Sequence, residues 1–417
     1  MPRPLVLAAA VLATVALVLA TTTSARSRPH KPPAPATSAS PATATATLGL
    51  KLLGRLGGSG NVVFSPDSIA TAVAMAGTGA RGATATGIAR TLALSSPSAF
   101  TAVGRLQHAI SAEQQGAANS DPQAPTLDLA NALFLQQGFA LSSSFTGTLQ
   151  RAFGAAPQTV DFSGNAPAAV AAINGYVDQH TQGVIPKVIG SVPAGTVLAL
   201  VNAIYLKAAW ANPFSDSATA SASFHAPTGT VSVPFMKETD ELPYSSGSGY
   251  AAVELPYRSS TLSLMVVLPV GQSIGRLQSS LTAGKLAAIA HGARGASVQL
   301  SLPRFHLSYQ AMLNSTLQAL GMTLAFSDAA NFSGIHAPPP KLKIGEVVHA
   351  ADFTIDEHGT IAAASTVVTI EPTAIAVPQH PVAFDANRPF LFFLRDDTTG
   401  AVLFAGRVSD PATAPAS

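Results

Sequence analysis

Hydrophobic positions follow two different periods along this chain. In the first half they recur at helical spacing: "SPDSIATAVAMAGTG" (65–79) carries an apolar stripe with Ser68 as a candidate cap, and "APAAVAAINGYVDQHTQG" (166–183) puts Val170, Ile173 and Val177 on one face. Further on, short β-rich runs take over: "TVLALVNAIYLKAAW" (196–210), "LSLMVVLPV" (262–270), "ASVQLSLPRF" (296–305), "PFLFFLRD" (389–396) and "AVLFAGRV" (401–408). The last two flank "DDTTG" (396–400), which predicts a hairpin connection. Helices and strands segregated in this way predict an α+β fold with mostly antiparallel sheets.

One stretch fits neither regime cleanly. "FTIDEHGTIAAASTVVTIEPTAIAVP" (353–378) begins as a strand, meets Gly359, and continues through residues 360–371 without proline or glycine. Ala362, Ala363, Ala364 and Ser365 are too small to anchor a strand by packing, although the Thr and Val that follow favour one. Strand alternation places Thr360, Ala362, Ala364, Thr366, Val368 and Ile370 on one uncharged face, while the other ends in Thr369 and Glu371. Pro372 marks the far end, because proline cannot donate to a ladder.

Composition bounds the function. The chain has 417 residues, of which 47% are hydrophobic and 11% charged, so it can bury a sizeable core. A net charge of +2 without basic clusters argues against nucleic acid as a partner. With no cysteine, disulfides, thiolate metal sites and cysteine nucleophiles are excluded, and the ten histidines show no HExxH spacing. No cofactor is called for.

The ends read as segments outside the fold. Arg3 precedes an uncharged apolar run (5–20) and a small-residue stretch ending at Ala25, the pattern of a secretory signal over 1–25; left uncleaved, it would be a membrane tether. Residues 26–47, rich in Pro, Ala, Thr and Ser, predict a disordered tether, so the folded domain is expected over 48–411, with 412–417 as a tail.

Two motifs invite an enzymatic reading. The Gly77-x-Gly79-x-x-Gly82 match follows a helical pattern rather than a strand and lacks an acidic residue about twenty positions on, which favours a helix-to-helix turn. Gly271-x-Ser273-x-Gly275 follows a strand and precedes a helix, the context of a nucleophile elbow, and Asp352 or Asp385 with His380 would supply a triad order. Pro269 and Val270 stand between strand and glycine, against that reading.

Over most of the folded region the chain resembles the serpin family. The segments "NVVFSPDSIATAVAMAGTGARGATATGI" (61–88), "INGYVDQHTQGVI" (173–185), "LVNAIYLKAAWANPF" (200–214), "LSLPRF" (300–305), "FTIDEHGT" (353–360) and "FDANRPFLFFL" (384–394) match that family's signatures in order. Tyr176 stands where the family often has Trp, and Ala208-Ala209 where Gly-Lys is commoner. The resemblance implies three β-sheets, about eight or nine helices, and an exposed reactive-centre loop over about 358–383 that baits a serine protease. Cleavage there lets the loop insert into the central sheet, with the protease trapped as an acyl-enzyme. By family position Glu357, Gly359, Thr360, Ala362, Ala363, Ala364 and Ser365 form the hinge, and Ser65, Ser68, Asn202 and His349 a shutter beneath the parting sheet. Counting from the hinge puts the reactive bond at Thr373 and Ala374, with Ile375 and Ala376 as alternatives.

Residues 359–387 contain no Arg or Lys, which points to a protease with a small or apolar primary pocket, elastase-like or subtilisin-like. The expectation is thus a secreted, monomeric serine protease inhibitor and not an enzyme. The alternatives are a non-inhibitory binding or carrier serpin, and a hydrolase using Ser273.

Overall fold

Ser40 accepts a hydrogen bond from the Thr43 amide and Pro41 takes a first-turn position, so helix α1 (Pro41–Leu53) starts ahead of the expected domain boundary at residue 48. The disordered tether expected over 26–47 is corrected for 41–47, which are helical. The small residues that look featureless in sequence let this helix pack closely, with Ala42, Ala44, Thr45 and Ala46 all buried. The computed structural model describes residues 40–336, 342–360 and 381–412. The expected signal segment (1–25), the expected hinge residues Ala362, Ala363, Ala364 and Ser365, the expected reactive-bond residues Thr373, Ala374, Ile375 and Ala376, and His380 lie outside them.

Nine α-helices occur among the described residues. After α1 come α2 (Pro66–Gly79), α3 (Gly82–Thr91), α4 (Phe100–Ser120), α5 (Ser143–Phe153) and α6 (Ala166–His180), then α7 (Ile274–Ser280), α8 (Ala283–Gly292) and α9 (Asn314–Leu317). Ser65 caps α2, accepting from the Ser68 amide at 3.1 Å; Ser68 itself lies inside the helix, which corrects its reading as the cap. The Gly77–Gly82 match is the turn between α2 and α3, as its helical surroundings predict. No helix among the described residues is long and apolar enough to cross a membrane.

The strands, in chain order, are β1 (Val62–Phe64), β2 (Thr126–Gln136), β3 (Gln158–Val160), β4 (Leu198–Ala209), β5 (Ala220–Ala226), β6 (Gly229–Gly247), β7 (Tyr250–Pro256) and β8 (Leu262–Pro269). There follow β9 (Arg294–Pro303), β10 (Phe305–Met312), β11 (Glu346–Ile355), β12 (Gly359–Thr360), β13 (Val382–Asp385), β14 (Phe390–Asp396) and β15 (Val402–Val408). Strands β14 and β15 form the expected antiparallel hairpin.

A six-stranded central sheet runs β10-β11-β12-β4-β2-β3, and the other nine strands form one connected set, β1-β15-β14-β8-β7-β6-β9-β13 with β5 on β6. The long strand β6 accounts for that connection: its first part pairs with β5, its middle with β9, and its last four residues with β7. Two of the three expected sheets are therefore joined through one strand that passes from one layer to the next.

The central sheet is buried on both faces, which is why β4 reads as a near-continuous apolar run. Ala199, Val201 and Ala203 pack with Ile173 and Val177 of α6 on one side. Leu198 and Leu200 on the opposite face join the cluster containing α2 residues, and Ile204, Leu206 and Ala208 join a second core cluster. Any polar residue on this second face is thus a polar group placed in the core.

Candidate functional site in the central sheet

Three core-facing polar residues form one row across the sheet: Asn131 on β2 pairs with Asn202 on β4, and Asn202 with His349 on β11. The N-terminal turn of α2 brings Ser65 and Ser68 beneath them. The Ser68 hydroxyl donates to Asn131 Oδ1 at 2.6 Å and accepts from Asn202 Nδ2, which also donates to Asn131 Oδ1 at 2.7 Å. His349 Nδ1 donates to Asn202 Oδ1, and its Nε2 accepts from the Ser65 backbone amide at 3.2 Å. Both imidazole roles are met by one neutral tautomer. Complete burial pushes the His349 pKa down to about 3, so the ring stays neutral. The four sequence-predicted shutter residues are therefore brought together, and Asn131 completes the set. Its signal in the sequence was a lone amide inside the apolar run "LANALFL", at a core-facing position.

Asp67, in the first turn of α2, lies beside this network. Burial pushes its carboxyl up to about 7, against the opposing effect of a 3.4 Å hydrogen bond from Gln107 Nε2.

At the other end of the same parting, β4 and β11 separate and β12 stands between them. The two strands are parallel and in register only over residues 199–204 and 346–351; beyond that, Thr360 pairs with Ile355 on one side and Ala208 on the other, and Gly359 pairs with Ala209. Gly359 has φ +149°, and a Cβ there would stand 1.9 Å from the Ala208 carbonyl oxygen, so only glycine fits. Thr360 is fully buried and shares a 2.5 Å hydrogen bond with the hydroxyl of Tyr257, which stacks on Trp210 with ring centroids 4.6 Å apart. Burial holds the Tyr257 phenol above its ordinary pKa, so it is un-ionised.

The bend before Gly359 is fixed from several sides. The Asp356 carboxylate accepts from the amides of His358 (2.8 Å) and Gly359 (3.1 Å), while Trp210 Nε1 donates to the Asp356 carbonyl at 3.0 Å. The backbone amides of Trp210 and Phe214 donate to the carbonyls of His358 and Glu357, each at 2.9 Å. Glu357 is almost wholly buried; its Oε1 accepts from Arg304 Nε at 2.6 Å and from the Thr219 hydroxyl. Burial works to raise that carboxyl, but these hydrogen bonds outweigh it and hold it below its ordinary value. Of the predicted hinge, Glu357, Gly359 and Thr360 are thus placed together. Arg304, Thr219, Trp210 and Tyr257 were not singled out from sequence, since they are far from the hinge along the chain and meet it only in the fold.

Ser273 is placed elsewhere. It caps α7, its Oγ accepting from the Arg276 amide at 3.3 Å, and Asp352 is engaged with His306 at 2.8 Å. The hydroxyl that a nucleophile elbow would expose is used as a helix cap, while Asp385 lies in β13.

Comparison with known proteins gives the same picture. The family model described as serpin (serine protease inhibitor) matches residues 43–411. An uncharacterized serpin-like protein of Thermococcus kodakarensis is 36% identical over 85% of this chain and 82% of its own, and Iripin-2 of Ixodes ricinus 33% identical over 87% and 91%. Among solved structures, the thermophilic serpin tengpin in its native state superposes with a TM-score of 0.79 at 26% identity, covering 88% of this chain and 93% of that one. Human thyroxine-binding globulin, complexed with its hormone, gives 0.78 at 27% identity over 90% and 99%. With the family match spanning nearly all of the described residues, this chain belongs to the serpin family.

Proposed function

We propose that the chain is a secreted suicide inhibitor of serine proteases, whose loop is cleaved, holds the protease as an acyl-enzyme, and inserts as a strand between β4 and β11. The observation that supports this reading is β12: Thr360 pairs with Ala208 on one side and Ile355 on the other, where β4 and β11 have separated beyond the stretch in which they pair directly. Continued residue by residue, the same register brings Thr366 opposite both Asn202 and His349. A hydroxyl there would replace part of the hydrogen bonding lost when those two side chains separate.

Reactive-bond cleavage is assigned to Thr373 and Ala374, with Ile375 and Ala376 as neighbours, and the target to an elastase-like or subtilisin-like protease, because the loop offers no basic residue. Export rests on the signal pattern of residues 1–25. Incubation with a panel of serine proteases tests the proposal. A covalent complex that survives SDS is expected with a protease of small or apolar specificity, and clean nicking by every protease in the panel overturns it.

A carrier role is the second reading. It is favoured by a cavity of about 620 Å³ between α1 and the α7–α8 segment, lined by residues including Leu50, Gln278 and Thr282, and by the likeness to a hormone-binding globulin. Nicking without a complex, together with saturable binding of a small apolar ligand, is its signature.

A further inference from the structure

We infer that Tyr257 is the positioning residue that seats Thr360 in the central sheet before the loop is cut, and so fixes the register in which the loop enters. Three observations converge on it. Tyr257 and Thr360 are both buried and share a 2.5 Å hydrogen bond between side chains 103 residues apart. The Tyr257 ring is held flat against Trp210 at an interplanar angle of 17°, so the hydroxyl cannot follow Thr360 if the hinge moves. Trp210 in turn receives the hinge carbonyls of Asp356 and His358 on its indole N–H and its backbone N–H.

The contact exists in the uncut chain, and it would exist unchanged once the loop had inserted behind Thr360. An interaction made equally in both states cannot drive the transition between them. What it supplies is a defined start. A slip of one residue would turn the opposite face of the loop toward the core, and an aliphatic Ile361 in place of Thr360 could not pair with the phenol. With Thr360 fixed opposite Ala208 and Ile355, a loop that entered behind it would meet one register only, and the entropy of finding that register is already spent.

The consequence for inhibition rests on the function proposed above; the seating itself does not. The chain has a single tryptophan, Trp210, so its emission reports on the hinge alone. Two variants of the full chain test the contact from its two ends: Tyr257→Phe, which keeps the ring stack, and Thr360→Val, which leaves both rings in place. In the uncut protein, excited at 295 nm so that tyrosine is silent, both should red-shift the Trp210 emission and raise its quenching by acrylamide. Combining them should add little, because they remove the same contact.

Unchanged emission and quenching in both single variants overturn the seating, whether or not the wild type inhibits anything. Against an elastase-like protease, each variant should raise the stoichiometry of inhibition by about fivefold, the factor that loss of one buried neutral hydrogen bond produces, with the rate of loop cleavage unchanged. A lowered melting temperature with unchanged stoichiometry would reduce Tyr257 to a packing residue and overturn its role in positioning. Thr360→Ser, which restores a hydroxyl, should return both readouts toward wild type.

Discussion

At the shutter, β4 and β11 are in register and their side chains meet directly, Asn202 with His349; at the hinge, the same two strands have parted and β12 fills the space between them. The two regions also differ in chemistry. The shutter is a neutral network of amides, hydroxyls and an uncharged imidazole, carried on three strands and the capped N-terminal turn of α2. The hinge is held by backbone hydrogen bonds, a glycine that no other residue can replace, and one buried carboxylate paired with Arg304. A neutral network can be exchanged for a similar one when a new strand enters, with little cost in desolvation. A buried charge cannot be moved so cheaply, and it stands where the chain has no reason to move. Under the proposed function, the sheet would open at the neutral network and stay fixed at the charged one.

The largest effect expected from this contrast comes from cutting the loop. If the parting below β12 accepts the loop as a strand, each added ladder hydrogen bond is worth about 1 kcal/mol net, with burial of one face in addition. Heating intact and elastase-nicked protein side by side should show the nicked form melting higher by about 10 °C or more. An equal or lower midpoint would mean that the shutter does not part.

Next comes Thr360→Arg. Thr360 is already buried against Tyr257 in the uncut chain, so the guanidinium must be desolvated at once. The penalty of several kcal/mol should expel β12, raise acrylamide quenching of Trp210 before any cleavage, and convert the inhibitor into a substrate. Ile361→Arg, on the alternate face, should be much milder; equal inhibition by Thr360→Arg and wild type would refute the register.

The shutter's pH dependence is smaller and comes with opposite signs. His349 is held down to about 3, below the 6.5 of an unperturbed imidazole, so its contribution to stability is present above 6.5 and lost as pH falls towards 3. Asp67 is pushed up to about 7, above an ordinary 3.8, so its contribution is present below 3.8 and lost as pH rises towards 7. Over the shared range these two slopes oppose each other, while Glu238 and Glu254, both pushed up to about 7 by burial, add to the loss as pH rises. Asp67→Asn should remove one of them: it should gain stability relative to wild type at pH 8, by at most about 4 kcal/mol, and none at pH 3. Urea melts at both pH values check this, and equal effects at the two would show that Asp67 is not the titrating group.

The smallest effect is expected at the hinge ion pair. Arg304 is part-exposed, so Arg304→Gln should cost only about 1 kcal/mol in low salt and less at high salt. Because Glu357 titrates below its ordinary value, that contribution is lost as pH falls through the carboxylate range. A salt-independent loss of several kcal/mol would instead mark the pair as the element that holds β12.

Much of this was legible in the chain itself. Helical spacing located α2 and α6, the buried runs located the sheet strands, and the row of Ser65, Ser68, Asn202 and His349 could be named because family signatures fix their order along the sequence. The glycine before Thr360 stands at the bend, and Thr360 lies on the face that the alternation expects to be buried; the rest of that face lies outside the described residues. These features depend on local period, and local period survives in a one-dimensional string.

What needed the tertiary structure were contacts that no period encodes. Asn131 joins the shutter only because β2 pairs with β4 in one particular register; Tyr257 reaches Thr360 across 103 residues; Arg304 and Thr219 meet Glu357 from two further strand connections. Residues 41–47 are helical because α1 finds a surface on which small side chains can be buried, a fact about its neighbours and not about its composition. Sequence alone determined which segments could be strand or helix and which faces could be buried. The seating of the hinge was decided by the fold, because a buried hydrogen bond depends on where two distant backbones are brought, and only packing brings them there.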